Sequence, residues 1–415
     1  MLRKRFPYLL DQSFPGQRFL RHSSMILALA AVLTPTVGAQ PKFKILATVP
    51  GGLWSGVSFD AKGNLYGVTG AGGDHNQGTI FELTPGAHGW TLKTLHSFNG
   101  QDGGSPNGGL IFDAAGNFYG TALGGPGYGG AGLAYEMVRT PSGWRFTILY
   151  DFCLQFHCPD GGVPGPLTTD GAGNLFGLAA GGAYDGGVAF ELMPGTSGGG
   201  WTESVLYNFD GIKTGFGPSG QLIFDAAGNL YGTTAGTFNS EAGTVFELSR
   251  RPGGWRHRKL WQFDGADGGA PSQGVVFHGS GNLYGTTYAG GRSKACTDDS
   301  PCGTIFKLTP EAGGHWKETV LYDFPKAANG SVPSSGVVFD KAGILYGTTA
   351  GGGNSSCTGG CGVVYRLTPT AGGKWKYTIL HKFTGQDSAH PDGMVLDSKG
   401  NLYGTAYSVV YEITP

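Results

Sequence analysis

Charged residues and long apolar runs are what this sequence has least of. Charged side chains make up 14% of the 415 residues and the formal net charge is −1, so we expect no basic surface that would hold a nucleic acid by its phosphates. The longest apolar run, Met25–Leu33, is too short to cross a bilayer as a helix. The sequence therefore argues against a nucleic-acid partner and against a transmembrane anchor.

The N-terminus has the pattern of an export signal. A basic stretch that begins at Arg3 precedes the apolar run, and small residues at Val37 and Ala39 follow it. This order of segments is that of a cleavable signal peptide, with cleavage after Ala39. We therefore expect a signal peptide at 1–39 and a single folded domain at 41–415, secreted or periplasmic and monomeric.

Glycine is abundant instead, at 79 residues, and it does not follow the period of three that collagen requires. The stretch Asp225–Thr234, DAAGNLYGTT, has seven versions along the chain, 53 to 62 residues apart. A repeat of this length indicates a propeller, a solenoid or an array. The turn glycines of the seven versions are Gly63, Gly116, Gly173, Gly228, Gly281, Gly343 and Gly400.

Each repeat reads as four short β-strands, which we name a, b, c and d. In the fourth repeat, Gly220–Asp225 and Asn229–Thr234 form a hairpin whose turn places Gly228 in the left-handed region. Strand c is Gly243–Leu248, and strand d is Trp255–Phe263. The runs are apolar on both faces, as expected for sheets packed between neighbouring sheets.

Six d strands accompany seven sets of a, b and c, and Phe43–Val49 supplies the missing one at the other end of the chain. A chain that starts with d and ends with c can close a ring, which removes exposed sheet edges. We therefore predict an all-β, seven-bladed propeller of four-stranded antiparallel blades, closed by the N-terminal strand in the last blade. An open β-solenoid and a different blade phase are the alternatives. The predicted repeats are 53–99, 107–152, 165–209, 219–264, 272–324, 334–383, and 391–415 with 43–49.

The aligned repeats share the pattern GNLYGTT…GG…GTVFEL…W…VLYxF…DGxxP. This combination resembles the GloVer-type tandem repeat of exported bacterial "choice-of-anchor" proteins, and the likeness covers Phe43–Pro415. The resemblance implies export but no established activity and no catalytic residues. Family members often carry a sorting tail, which this sequence does not show.

The six cysteines form three local pairs, each within one loop. An even number of cysteines in an exported chain predicts disulfide bonds. A four-cysteine zinc site built from the second and third pairs is the alternative, although its spacings differ from the usual CxxC. The three pairs are Cys153/Cys158, Cys296/Cys302 and Cys357/Cys361.

The loops that join b to c and d to a emerge at the same end of a propeller, and here they vary between repeats. Recognition residues tend to lie on variable loops held by a rigid scaffold, so this end is the predicted binding surface. Its aromatic, acidic and amide side chains suit a polysaccharide or a protein ligand. The candidate ligand-binding residues are Trp54, Asp74, His75, Asn76, Asp102, Tyr128, Tyr184, Asp185, Asn239, Glu241, Arg292 and His390.

We expect no cofactor and no metal, and keep two alternatives open. A calcium ion at the DGxDGG-like strings Asn99–Gly104 and Asp264–Gly269 is one, because Asp-rich loops of this kind bind calcium. A metal centre of His75, His157 and His390 is the other, and it needs three loops to converge.

The sequence contains no catalytic motif of fixed spacing, so it predicts no catalytic residues. The main hypothesis is an exported propeller that binds a carbohydrate or protein ligand through its b–c and d–a loops. A polysaccharide lyase or glycoside hydrolase that uses two carboxylates such as Asp185 and Glu241 is one alternative. A structural or adhesive surface protein is the other.

Overall fold

The computed structural model describes residues 40–127, 129–196, 199–211, 213–236, 242–293, 302–325 and 328–415. The predicted signal peptide at 1–39 lies outside the described residues. Within the described part of the chain, no helix is long and apolar enough to span a membrane.

Regular structure in the described residues is almost entirely β-strand. Blades 1 to 4 contain Ser58–Phe59, Leu65–Thr69, Thr79–Gly86 and Gly89–Ser97 (β2–β5); Gly104–Phe112, Phe118–Gly124, Leu133–Thr140 and Gly143–Asp151 (β6–β9); Thr168–Thr169, Leu175–Ala179, Val188–Met193 and Thr202–Asn208 (β10–β13); and Pro218–Phe224, Leu230–Thr234, Thr244–Arg251 and Gly254–Gln262 (β14–β17). Blades 5 to 7 contain Val275–His278, Asn282–Thr287, Thr304–Pro310 and Trp316–Asp323 (β18–β21); Ser331–Pro333, Val338–Phe339, Leu345–Gly351, Val363–Pro369 and Trp375–Lys382 (β22–β26); and Pro391–Leu396, Leu402–Ala406 and Val409–Thr414 (β27–β29) with Lys42–Thr48 (β1). Two 3-10 helices, Ala312–Gly314 and Ala371–Gly373, lie in c–d turns.

The strands form seven antiparallel sheets, each in the order a, b, c, d from one edge to the other. This arrangement confirms the prediction of an all-β, seven-bladed propeller. Strand a is the least regular element. In blade 6 it is divided into β22 and β23, which both pair with β24, and in blade 4 its register shifts between Ser219 and Ile223.

The d strand of blade 7 comes from the N-terminus, since β1 pairs antiparallel with β29 from Lys42 opposite Thr414 to Thr48 opposite Val409. In blades 1 to 6 the backbone N–H of the phenylalanine after strand d donates to the carbonyl of the glycine before strand c, at 2.9–3.1 Å. In blade 7 the N–H of Val49 donates to the Ser408 carbonyl at 2.7 Å. The segment thus makes the d-strand hydrogen bond without the usual phenylalanine and glycine.

The a–b turn is held by one aspartate. In blade 4, Asp225 accepts the N–H groups of Ala227 and Asn229 at 2.9 Å each. Its second oxygen accepts the Asn229 amide at 2.8 Å and the Tyr231 hydroxyl at 3.1 Å. Gly228 has the predicted positive φ, 81°. Burial opposes ionisation, but the bonds from Asn229 and Tyr231 outweigh it and lower the pKa of Asp225. Matching turns are built on Asp60, Asp113, Asp170, Asp340 and Asp397.

Seven clusters of buried apolar side chains form the core, and each spans two neighbouring blades. Between blades 1 and 2, for example, Tyr66 and Ile80 pack with Phe118 and Leu133. No blade has a core of its own within the described residues. The apolar character of both strand faces, noted in the sequence, follows from this packing.

Within each blade, a glycine of strand b lies beneath an aromatic ring of strand c. A Cβ on Gly232 would lie 2.6 Å from Cζ of Phe246, closer than carbon atoms approach. The φ of this glycine is not positive, so its backbone conformation does not require glycine. The seven repeats need glycine here because a side chain would clash with the ring.

Deleting residues 41–49 should open blade 7 and expose the edge of β29. We expect a large fall in thermal stability, because both the strand pairing and the apolar cluster of Leu46 and Val49 are lost. Thermal unfolding followed by circular dichroism tests this. An unchanged melting temperature would show that β1 does not stabilise the ring.

Replacing Asp225 by Ala should lower the free energy of unfolding by about 1–2 kcal/mol, because four donors, three of them in partly buried hydrogen bonds, lose their acceptor. Asp170→Ala is the matched control, because the tyrosine is replaced by Phe176 there and that turn has one donor fewer. Urea unfolding should give a smaller loss for Asp170→Ala. Equal losses would show that the Tyr231 hydroxyl contributes nothing.

Candidate functional site

The b–c and d–a loops lie at one end of the propeller and the a–b and c–d turns at the other, because the four strands of every blade are antiparallel. We call the first end the loop face. The turn end is built from nearly uniform hairpins, whereas the loop face differs from blade to blade. The two ends therefore offer different surfaces to a ligand.

Exposed apolar side chains are concentrated on the loop face. Ten large hydrophobic residues of the described chain are at least 36% exposed, and eight of them lie in b–c or d–a loops. The other two, Ile45 and Leu92, lie on outer d strands. Isolated exposed apolar residues need no explanation, but eight at one end indicate an interaction surface. The eight are Trp54, Leu154, Phe156, Val163, Tyr184, Phe216, Tyr288 and Tyr407.

Backbone strain is concentrated on the same face. Of the twelve described non-glycine residues with positive φ, ten lie in b–c or d–a loops, and Ser105 and Val332 lie at the start of strand a, where it leaves a d–a loop. Ser105 and His390 are two of six that directly precede a proline, where the left-handed conformation is disfavoured. Their N–H groups donate to carbonyls of the preceding blade, Ser105 to Gln77 at 2.7 Å and His390 to Cys361 at 2.9 Å. These inter-blade bonds hold the loops in place, and strained loops of this kind are typical of binding sites.

Two of the predicted disulfides are formed, Cys153–Cys158 and Cys357–Cys361. Cys302 is also disulfide-bonded, while Cys296 lies outside the described residues. The Cys357–Cys361 bond rules out the four-cysteine zinc alternative, because its sulfurs are bonded to each other. Disulfides of this kind are typical of extracellular and periplasmic proteins.

Several predicted ligand-binding residues are free to meet a partner. Trp54 is 54% exposed with its indole over Gly70, and Tyr184 is 66% exposed beside Asp185. Asp74 and His75 are exposed in one b–c loop. Three further predicted residues, Tyr128, Asn239 and Glu241, lie outside the described residues.

Other predicted residues are used by the fold. Asn76 accepts the N–H of Gly72 at 2.9 Å, and the backbone N–H of Arg292 donates to Asp323 at 3.0 Å. A ring nitrogen of His390 lies 2.9 Å from the Ala350 carbonyl. The three-histidine centre is not assembled, because no three metal-ligating side chains of the described residues come together.

The DGxDGG-like strings form reciprocal turns. Asp264 accepts the N–H groups of Ala266 and Asp267, and Asp267 accepts the N–H of Asp264, all at 2.9–3.1 Å. The other Asp267 oxygen accepts the Trp261 indole N–H at 2.9 Å. Asp102 is used in the same way, between the N–H of Asn99 and the ring of His96. The carboxylates of both strings therefore already accept hydrogen bonds from groups in or beside their own turn.

Two positions of strand d meet between neighbouring blades, a contact that the sequence analysis missed. A ring six residues after the opening tryptophan stacks on a ring two residues after the tryptophan of the next blade, or on Phe43 in blade 7, whose d strand has no opening tryptophan. The constant offset from tryptophan is the signal that could have revealed it. The pairs are His96 on Phe146, Tyr207 on His257, Tyr322 on Tyr377 and His381 on Phe43, with centroids 3.8–4.9 Å apart.

Glutamate takes the second position in two blades, as Glu203 in blade 3 and Glu318 in blade 5. One carboxyl oxygen of each is buried without a hydrogen-bond partner among the described residues. Burial raises the pKa of Glu203 to about 7, and the nearby Asp160 adds to the rise. Burial also raises the pKa of Glu318 to about 7, where Asp267 adds to the rise and Arg292 opposes it. Both glutamates are thus carboxyl groups that titrate near neutrality.

Replacing both glutamates by glutamine should stabilise the protein more at pH 8 than at pH 5. Their folded pKa lies above the unfolded value, so their contribution to stability is full at low pH and is lost as the pH rises through about 7. Both side chains are only partly buried, so solvent screening reduces the effect, and we expect a difference on the order of 1–3 kcal/mol for the pair.

Urea unfolding of wild type and variant at both pH values measures this difference. The comparison is needed because His96, His257 and His381 act with the opposite sign: burial lowers their pKa, so they add stability as the pH rises. A variant that shifts stability equally at pH 5 and pH 8 would contradict the raised pKa of the glutamates.

Solved structures share this fold at low sequence identity. A streptogramin B lyase structure is 15% identical, with a TM-score of 0.56 over 90% of this chain and 97% of its own. PorZ, a surface component of the type IX secretion system of Porphyromonas gingivalis, is 16% identical, with a TM-score of 0.53 over 86% and 46%. A putative 6-phosphogluconolactonase of Bacteroides uniformis is 13% identical, with a TM-score of 0.51 over 82% and 88%. Likeness at this level shows the fold alone.

A search of curated proteins gave no match. The sequence model of the Gloeobacter/Verrucomicrobia repeat matches residues 43–212 and 169–412, which together span nearly all of the propeller and agree with the resemblance seen in the repeats. The chain therefore belongs to the Gloeobacter/Verrucomicrobia repeat family.

Proposed function

We propose that this protein is an exported propeller that binds a carbohydrate polymer across its loop face. The observation that carries the proposal is that most of the exposed large aromatic and aliphatic side chains of the described residues lie at that end. Aromatic rings bind the C–H faces of sugars by stacking, and the polar groups between them bind sugar hydroxyls. Export is supported by the disulfides of the loop face.

The loop face also suits a long ligand better than a small one. Its exposed apolar residues come from the b–c loops of blades 3, 5 and 7 and from the connections between blades, so they are spread around the ring. A small molecule would contact few of them, whereas a polymer can cross several blades. The low fraction of charged residues favours a ligand that is not held by bulk charge.

Trp54→Ala and Tyr184→Ala should each weaken polysaccharide binding by about fivefold to tenfold, since an exposed aromatic anchor contributes about 1 kcal/mol or more. Depletion of the purified protein by a panel of insoluble polysaccharides measures the binding. Soluble sugar released in the same tubes distinguishes recognition from cleavage.

Leu92→Ala is the matched control, because Leu92 is exposed on an outer strand away from the loop face. It should bind like the wild type. A protein that no polysaccharide depletes, or an equal loss for Leu92→Ala, would contradict the proposal.

A further inference from the structure

A cavity of about 320 Å³ opens between blades 2 and 3, beside the loop that Cys153 and Cys158 close. Tyr150 and Asp160 line it from the side of blade 2, and Glu203 and Val205 line it from blade 3. It occupies the place where other seams have stacked rings. The glutamate in place of a ring therefore leaves space at this seam.

The polar groups of the cavity are mostly acceptors. Asp160 is fixed by the Tyr150 hydroxyl at 2.9 Å and by the backbone N–H of Cys153 at 3.0 Å. Glu203 has a buried oxygen without a partner among the described residues. None of the described residues that line the cavity is Lys, Arg or His. Two carboxyl groups thus line one cavity, and no described residue of its lining supplies a positive charge.

The seam between blades 4 and 5 provides an internal comparison. It has the same pair of acids, Glu318 and Asp267, but Arg292 is close enough to favour the ionised form of Glu318. At the seam of Glu203 no basic group of the described residues has this effect, and the charged group that acts on its carboxyl is another acid, Asp160. Among the described residues, the seam between blades 2 and 3 therefore lacks a cation like Arg292 at the seam between blades 4 and 5.

We propose that the cavity between blades 2 and 3 binds a primary ammonium group, held by Asp160 and Glu203. An ammonium donates three hydrogen bonds and supplies the missing positive charge. Its carbon skeleton packs against Leu154, which is 59% exposed, and against Pro159 and Val205. The inference rests on the proposed function, because it makes the ligand of the loop face an amine-bearing one.

Titration calorimetry with a glucosamine trisaccharide at pH 6, where the sugar amine is protonated, tests the site. Binding should release protons, because the ammonium favours the ionised form of Glu203, and this release is measured by repeating the titration in buffers of different ionisation enthalpy. Glu203→Gln should lower the affinity about tenfold and abolish the proton release, as expected when a charge-assisted hydrogen bond is lost.

Glu318→Gln is the matched control, since it makes the same change at the other seam, and it should leave affinity and proton release unchanged. The N-acetylated trisaccharide, which has no ammonium, should bind at least tenfold more weakly to the wild type. Detectable binding of both trisaccharides with the same affinity, or an equal effect of the two glutamate variants, would overturn the proposal. The first of these comparisons uses only the wild-type protein, so it holds even if a variant is unstable.

The ammonium group could belong to an amino sugar or to a lysine of a protein. Titration with a second ligand, an Nα-acetyl-lysine amide, distinguishes these two sources. Tight, Glu203-dependent binding of the trisaccharide alone would identify an amino sugar, and that of the lysine derivative alone would identify a protein ligand. The second result would support the cavity while contradicting the polysaccharide function. If a polysaccharide depletes the wild type and the Glu203→Gln variant equally, the result would support the proposed function and contradict the ammonium site in the cavity.

Discussion

Burial of each blade against its two neighbours is the interaction on which the rest of the structure depends. The seven apolar clusters all lie between blades, so a single four-stranded sheet would leave both faces in water. A sheet of this kind is stable only within a row of sheets, and a row has two unprotected ends unless it closes. The ring and the shared last blade are both consequences of this requirement.

The same requirement divides the molecule into constant and variable parts. The turn end changes little: all seven repeats have the turn glycine, such as Gly228, and six have the aspartate, such as Asp225. Blade 5 has His278 at the position of the aspartate. Most residues of the apolar clusters lie in strands, so the loops of the loop face can differ between blades in length and side chains. It nevertheless stays rigid, because inter-blade hydrogen bonds hold the strained residues before the prolines. A rigid but variable end is what a recognition surface needs.

Much of the fold could be predicted from the sequence because it depends on local, repeated signals. The turn glycines, the number of strands and the offset of Phe43–Val49 are all visible as spacing. The contacts between blades join residues of different repeats, so the spacing within one repeat does not show which residues meet, although the constant offset from tryptophan marks the ring positions. Glu203 looks like an ordinary polar residue in a strand, and only the structure places it at the seam beside Asp160. The candidate binding residues are all loop side chains, and their spacing does not show which of them, like Asn76, are used by the turns themselves.

The N-terminal strand of the last blade also has a consequence for how copies of this chain can combine. β1 lies near the start of the folded part and its partner β29 at the end, so their pairing closes a loop as long as the domain itself, which makes it slow to form. During that interval, the open edge of β29 offers the same hydrogen bonds to any β1, whether from its own chain or from another copy. Exchange of this strand between two chains would preserve every contact of the ring, and it is therefore the most accessible route to a domain-swapped dimer.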